Sequence, residues 1–255
     1  MPFFSNKKVF TLVGIINILL FHFIIFKLYH FLYHPIQSGV SILNINDWVT
    51  NIILLLFFCL PHSLLLRSST KKYIQMHLPA SLYPTIYSMH ASISLGLIFV
   101  FWKHGQNYLY HPTSSIIIFS KVAYVLSWFY ISWAIFATGV FKQSGIDVWY
   151  AKIKGRSYQN KFPTTGPFQY TRHPIYIGFL GMIWFTPYYT ADRLFLSVMW
   201  TIYILIGIYN KENRLQNSKI YQQYCLKVNL FPFVSKKLET YIFSKWHKKG
   251  SFYEN

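Results

Sequence analysis

Residues 48–66 read WVTNIILLLFFCLPHSLLL, nineteen consecutive positions without an Asp, Glu, Lys or Arg. A run of about 18 to 25 apolar residues is the length that crosses the hydrocarbon of a bilayer. The pattern recurs along the chain: Val9 to Phe26, a stretch within Tyr73 to Trp102 that is densest from Leu82, Val122 to Phe141, His173 to Ala191, and Leu194 to Asn210. The last two are parted only by Asp192-Arg193. Hydrocarbon offers no partner for backbone N–H and C=O groups, so such runs must be helical. Charged residues make up 12% of the 255 positions, against roughly 25% in soluble domains. The expected architecture is an all-α integral membrane protein of about six transmembrane helices, the last two forming a C-terminal hairpin.

The basic residues support that reading. Lys and Arg number 24 against 6 Asp and Glu. Twenty of the 24 precede the first run, lie between the second and third or the fourth and fifth, or follow the sixth; only Lys27, Lys103, Lys121 and Arg193 fall elsewhere. The positive-inside rule then predicts cytoplasmic N- and C-termini in a cell (inner) membrane. Charges that alternate with apolar runs also exclude a nucleic-acid partner, which would demand one continuous basic face. Membrane lipids are the expected surroundings, and the run from Lys236-Lys237 to Lys245–Lys249 can rest on anionic headgroups. Lys7-Lys8 before Val9 resembles a signal peptide, but no small-residue cleavage site follows, so an uncleaved first span is expected. The two cysteines, Cys59 and Cys225, stand in different environments, are expected to stay reduced, and show no metal-binding spacing.

Chemistry in such a chain should sit where polar groups gather at a span or its mouth. Three places qualify. Pro61-His62-Ser63 lies near the end of the second run. Gly166-Pro167 opens a turn before Arg172-His173-Pro174, where the proline suits the first helical position and first-turn N–H groups favour an anion. Tyr176 and Gly178 follow, the glycine allowing a ligand or a neighbouring helix to approach. Glu212, one of the few acidic residues, ends the sixth run beside Lys211 and Arg214, and the hairpin brings it to the same cytoplasmic mouth as Arg172 and His173.

These residues resemble a family. Thr165-Gly166, then Arg172-His173-Pro174-Ile175-Tyr176-Ile177-Gly178, a hydrophobic hairpin, an acidic site, Leu215 and Tyr221-x-x-Tyr224 are similar to the C-terminal half of the isoprenylcysteine carboxyl methyltransferase superfamily. Within it, His62-Ser63 with Arg67, Trp184 to Thr190 and Thr201 to Ile208 resemble methanethiol S-methyltransferase-like membrane proteins. The resemblance implies a membrane enzyme that uses S-adenosylmethionine without a glycine-rich nucleotide fold. Carried over by residue, it places Phe162, Pro163, Phe168, Arg172, His173, Pro174, Ile175, Tyr176, Gly178 and Glu212 around the cofactor, with His173 and Glu212 catalytic and His62 on the substrate side. Lys211-Glu212 stands where relatives carry two glutamates, Phe168 where they often carry tyrosine.

The implied reaction is methyl transfer to a thiol acceptor, a small thiol such as methanethiol, with a lipid-like acceptor as the other possibility. Arg172 and the helix start hold the cofactor carboxylate; His173 orients it or assists thiol deprotonation; Glu212 binds the ammonium group or pairs with Arg172. Tyr176 and Phe168 offer aromatic faces to the sulfonium. A non-catalytic membrane accessory of the same fold and an NADPH-dependent membrane reductase are the alternatives. The chain divides into an anchor and connection over 1–51, the methyltransferase-like domain over 52–232 and a basic tail over 233–255.

Overall fold

The computed structural model describes residues 7–33, 42–139, 141–158 and 162–239. Lys161 and the basic run Lys245–Lys249 lie outside the described residues. Among the described residues nine α-helices of eight residues or more follow in order: α1 (Lys7–Tyr33), α2 (Ile45–Leu65), α3 (Ser68–His77), α4 (Tyr83–Phe101), α5 (Ser114–Thr138), α6 (Ile146–Ile153), α7 (Pro174–Trp184), α8 (Ala191–Leu215) and α9 (Lys219–Lys227). Five of them, α1, α2, α4, α5 and α8, are long and apolar enough to cross a membrane. They match five of the six charge-free runs. Local chemistry explains several boundaries. Asn44 and Asp47 exchange side-chain and backbone hydrogen bonds of 3.0 Å each at the start of α2, a reciprocal cap. The Thr113 hydroxyl accepts the N–H of Ile116 at the start of α5.

The expected fifth span is not a continuous helix of membrane-crossing length. Helix α7 has 11 residues, a length of about 16 Å, half of what a bilayer requires. Pro187 is the physical cause: it disfavours helical backbone at Thr186 and cannot donate to the carbonyl four residues back. The chain instead runs from Phe185 to Thr190 without helix and still reaches the start of α8. Its backbone is not left bare. The Tyr189 hydroxyl donates to the Ile183 and Trp184 carbonyls at 3.0 and 3.1 Å, and Leu109 N–H donates to Tyr189 O at 2.8 Å. Irregular backbone at membrane depth is tolerable only when covered by protein in this way.

Packing is inverted relative to a water-soluble bundle. Leu19, Phe23, Ile53, Leu60, Phe119, Phe129 and Phe136 point outward and are exposed, while Asn17, Asn51, Ser88, Ser92, Ser127 and Ser197 are buried. Lipid is as apolar as leucine, so small and polar residues mark the helix–helix seams. The buried amides have partners: Asn17 donates to Ser144 O at 2.7 Å, and Asn51 makes two bonds to the backbone of Lys103. Helix α1 packs on α4 and α6, α2 on α4, and α5 on α7, around a core that includes Leu32, Ile98, Tyr124, Met182, Leu196 and Trp200.

The α5–α7 seam depends on two glycines. A Cβ on Gly178 would lie 2.6 Å from the Ile131 Cβ, and one on Gly181 would lie 2.3 Å from the Ser127 hydroxyl. The sequence left open whether Gly178 admits a ligand or a helix; the structure puts α5 there. Gly178→Val should therefore cost about 1–3 kcal/mol of stability through overpacking, read as a lowered unfolding midpoint in detergent. Gly207→Ala, whose added methyl meets nothing nearer than 3.8 Å, should leave the midpoint unchanged or raise it.

Candidate active site

The site forms where the start of α7, the end of α8 and the chain around α9 converge. Gly166 turns the backbone with a φ of 62°, and Gly166–Gln169 make one tight helical turn. The next residues are laced to the segment after α9. Arg172 N–H donates to Asn229 O at 3.0 Å, and the Thr171 hydroxyl donates to Leu230 O at 2.6 Å. Thr171 also accepts the His173 N–H at 3.3 Å. His173 is the residue before the first helical position, Pro174 fills that position, and no side chain caps the helix. The first-turn N–H groups of Ile175 and Tyr176 thus face away from any helical acceptor.

Three ionisable side chains meet below this turn. Arg172 is 2% exposed, His173 1% and Glu212 9%. The His173 Nε2–H donates to Glu212 Oε1 at 2.7 Å, and the Tyr221 hydroxyl donates to the same oxygen. Arg172 Nη2 lies 3.2 Å from Glu212 Oε2, and its Nη1 donates to Val228 O at 3.2 Å. A second carboxylate, Glu239, also binds Nη2. Tyr224 donates to the Phe168 carbonyl at 2.5 Å. A guanidinium this deeply buried is tenable only with such partners, and it would be destabilising if both carboxylates were lost.

Titration follows from these contacts. Burial dominates at His173 and outweighs the Glu212 hydrogen bond, bringing the imidazole down to about 4. It is neutral at physiological pH, with the proton on Nε2 assigned from the Glu212 contact. Nδ1 then carries a lone pair, and it is buried with no hydrogen-bond partner among the described residues, as is Arg172 Nε. Burial pulls the Arg172 guanidinium down, but Glu212, Cys225 and Glu239 outweigh it and raise its pKa above the ordinary value. Burial and then Glu212 push the Tyr221 hydroxyl up, so it remains a donor.

Of the residues expected from the sequence, Arg172, His173 and Glu212 come together directly. Phe162 lies edge-on to Tyr221 and Tyr224, with centroids 5.3 and 5.0 Å apart, and Pro163 beside it is half-buried. Phe168 is buried. Tyr176 stacks on His173 at 5.5 Å and lies under Lys211 Nζ at 5.6 Å. Ile175 packs into the central core and Gly178 against α5. His62 belongs to a different group: its Nε2 is 2.5 Å from the Tyr87 hydroxyl, and Ser63 bonds Tyr203 at 3.1 Å. Thr171 and Glu239 had not been anticipated. Thr171 carries no motif signal, whereas Glu239 had a faint one, an acid among the lysines of the tail.

Because the folded-state value of His173 lies below the ordinary 6.5, the unfolded chain takes up that proton first as pH falls. The stability contributed by neutral His173 is complete above about 6.5 and declines toward about 4. Unfolding midpoints of the wild type should drop more steeply across that window than those of His173→Asn; parallel pH profiles would contradict the assignment.

Comparison with known proteins gives one consistent answer. The chain is 30% identical over 190 residues to a methanethiol S-methyltransferase of Crocosphaera subtropica (strain ATCC 51142 / BH68), covering 72% of this chain and 74% of that one. It is 28% identical over 213 residues to a methanethiol S-methyltransferase of Pseudomonas sp. (strain GM41(2012)), with 80% of each chain covered. Nurim of Xenopus laevis is 28% identical over 162 residues, 59% of this chain and 56% of that protein. No family model matches the chain, and no solved structure matches it significantly.

Proposed function

The chain belongs to the methanethiol S-methyltransferase family, within the isoprenylcysteine carboxyl methyltransferase-like proteins, and from that premise we propose that it methylates a small thiol at the membrane with S-adenosylmethionine as donor. The observation that carries the reading is the likeness to those transferases over most of both chains. The buried site supports it. An amino-acid moiety needs an anion site and a cation site side by side. The first-turn N–H groups of α7 with Arg172 Nε are suited to its carboxylate, and Glu212 Oε2 to its ammonium group. The bound donor would supply an electrophilic methyl on a sulfonium centre.

The chain's own contribution is then positioning and proton handling. The acceptor thiol must lose its proton as the new carbon–sulfur bond forms and the sulfonium bond breaks. His173 Nδ1 accepts that proton, while Glu212 on Nε2–H fixes the ring and stabilises the imidazolium, the logic of a base held by a carboxylate. Arg172, already enclosed by carboxylates and a carbonyl, keeps Glu212 aimed. We assign His62 and Tyr87, paired in the bundle between α2 and α4, to the acceptor side. The twenty basic residues argue that this mouth faces the cytoplasm of the cell membrane.

Full-length protein in detergent, given S-adenosylmethionine and methanethiol, should form dimethyl sulfide and S-adenosylhomocysteine. His173→Ala should lower kcat by about 10²-fold or more, the usual worth of a general base. A His173→Ala enzyme as fast as the wild type would remove that residue from the chemistry.

A further inference from the structure

We propose that Glu239, in the helical turn over 236–239 that ends the described residues, is a positioning residue of the donor site: it serves as the counter-ion of Arg172 and so leaves one oxygen of Glu212 for the donor's ammonium group. This rests on the functional reading above and deepens it.

The geometry distinguishes the two carboxylates. Glu239 is 2% exposed. One of its oxygens binds Arg172 Nη2, and the other accepts the Leu230 N–H at 3.1 Å. Leu230 in turn accepts the Thr171 hydroxyl, so adjacent residues are tied to one short segment, Thr171 directly and Arg172 by way of Glu239. The turn that carries Glu239 is itself anchored: its N–H donates to Ser235 O at 2.9 Å, and Lys236 Nζ donates to the Cys225 and Leu226 carbonyls at the end of α9. A lysine suits those terminal carbonyls.

Glu212 is held differently. Its Oε1 receives both His173 and Tyr221, while Oε2 has the longer 3.2 Å contact to Arg172. A single guanidinium charge does not need two buried carboxylates for the fold, because burying charge seldom adds net stability. With Glu239 neutralising Arg172, Oε2 retains capacity to accept a cationic N–H. Without Glu239, Arg172 has Glu212 as its remaining carboxylate partner among these contacts and draws both oxygens toward a bidentate pair, in competition with the ammonium group.

The test is steady-state kinetics of the full-length protein with S-adenosylmethionine and methanethiol, alongside unfolding midpoints. Glu239→Gln should raise KM for S-adenosylmethionine about five- to fifty-fold, as expected for coupled neighbours, with kcat and the thiol KM within about two-fold. Glu239→Asp should recover part of the loss, and Lys237→Gln on the exposed side of the same turn should match the wild type. An unchanged donor KM in Glu239→Gln overturns the proposal. So does a change in kcat and both KM values that tracks a lowered midpoint in the Gln and Asp variants alike, since that is a purely structural effect. A folded wild type without turnover overturns the functional reading itself, and the role of Glu239 with it.

Discussion

Arg172 between Glu212 and Glu239 is the contact on which the functional end of the molecule depends. One guanidinium joins the start of α7, the end of α8 and the turn after α9, and its own backbone N–H reaches Asn229. Elements separated by dozens of residues are thereby held at one place. A planar, permanently charged fork suits this better than a lysine would, because it can engage two carboxylates and a carbonyl together. His173 is neutral because its burial outweighs its hydrogen bond to Glu212.

The opposite end of the bundle repeats the device with the sign reversed. Asp192, fully buried, accepts from Trp102 at 3.0 Å, Gly105 N–H at 3.1 Å and Thr190 at 2.6 Å. Next to it, Arg193 donates to Phe31 O at 2.7 Å. Asp192 stands in the first turn of α8, where the helix dipole favours a negative charge, and ties the α4–α5 connection to that helix. With few charges in the chain, those inside are concentrated at the two ends, and the length between is sealed by side-chain packing and by glycine and serine seams.

The sequence exposed the spans because absence of charge over helix-crossing lengths is a strong signal, as in residues 48–66. It read residues 173–191 as one helix because apolarity does not distinguish α7 and its extended continuation from a full helix; Pro187 was the mark. Arg172, His173 and Glu212 were legible as rare polar groups around a Pro-started helix, and Tyr221-x-x-Tyr224 has the spacing that puts both rings on one face of α9. Glu239 was not, because a residue 27 positions beyond Glu212 in a lysine-rich tail reads as solvated until the fold brings it back. Thr171 acts through its hydroxyl on a distant backbone, which no local pattern encodes. Gly178 was recognised as a close approach, and only packing could decide that the neighbour is Ile131.

The central claim is that this buried cluster binds a sulfonium methyl donor through its amino-acid portion. Titrating S-adenosylmethionine into the detergent-purified protein by calorimetry tests it most directly. The account predicts saturable one-to-one binding that Glu212→Gln weakens by about ten-fold or more, in line with loss of a charged hydrogen-bond partner. Absence of binding by a well-folded wild type, or binding that is indifferent to Glu212→Gln, would contradict it.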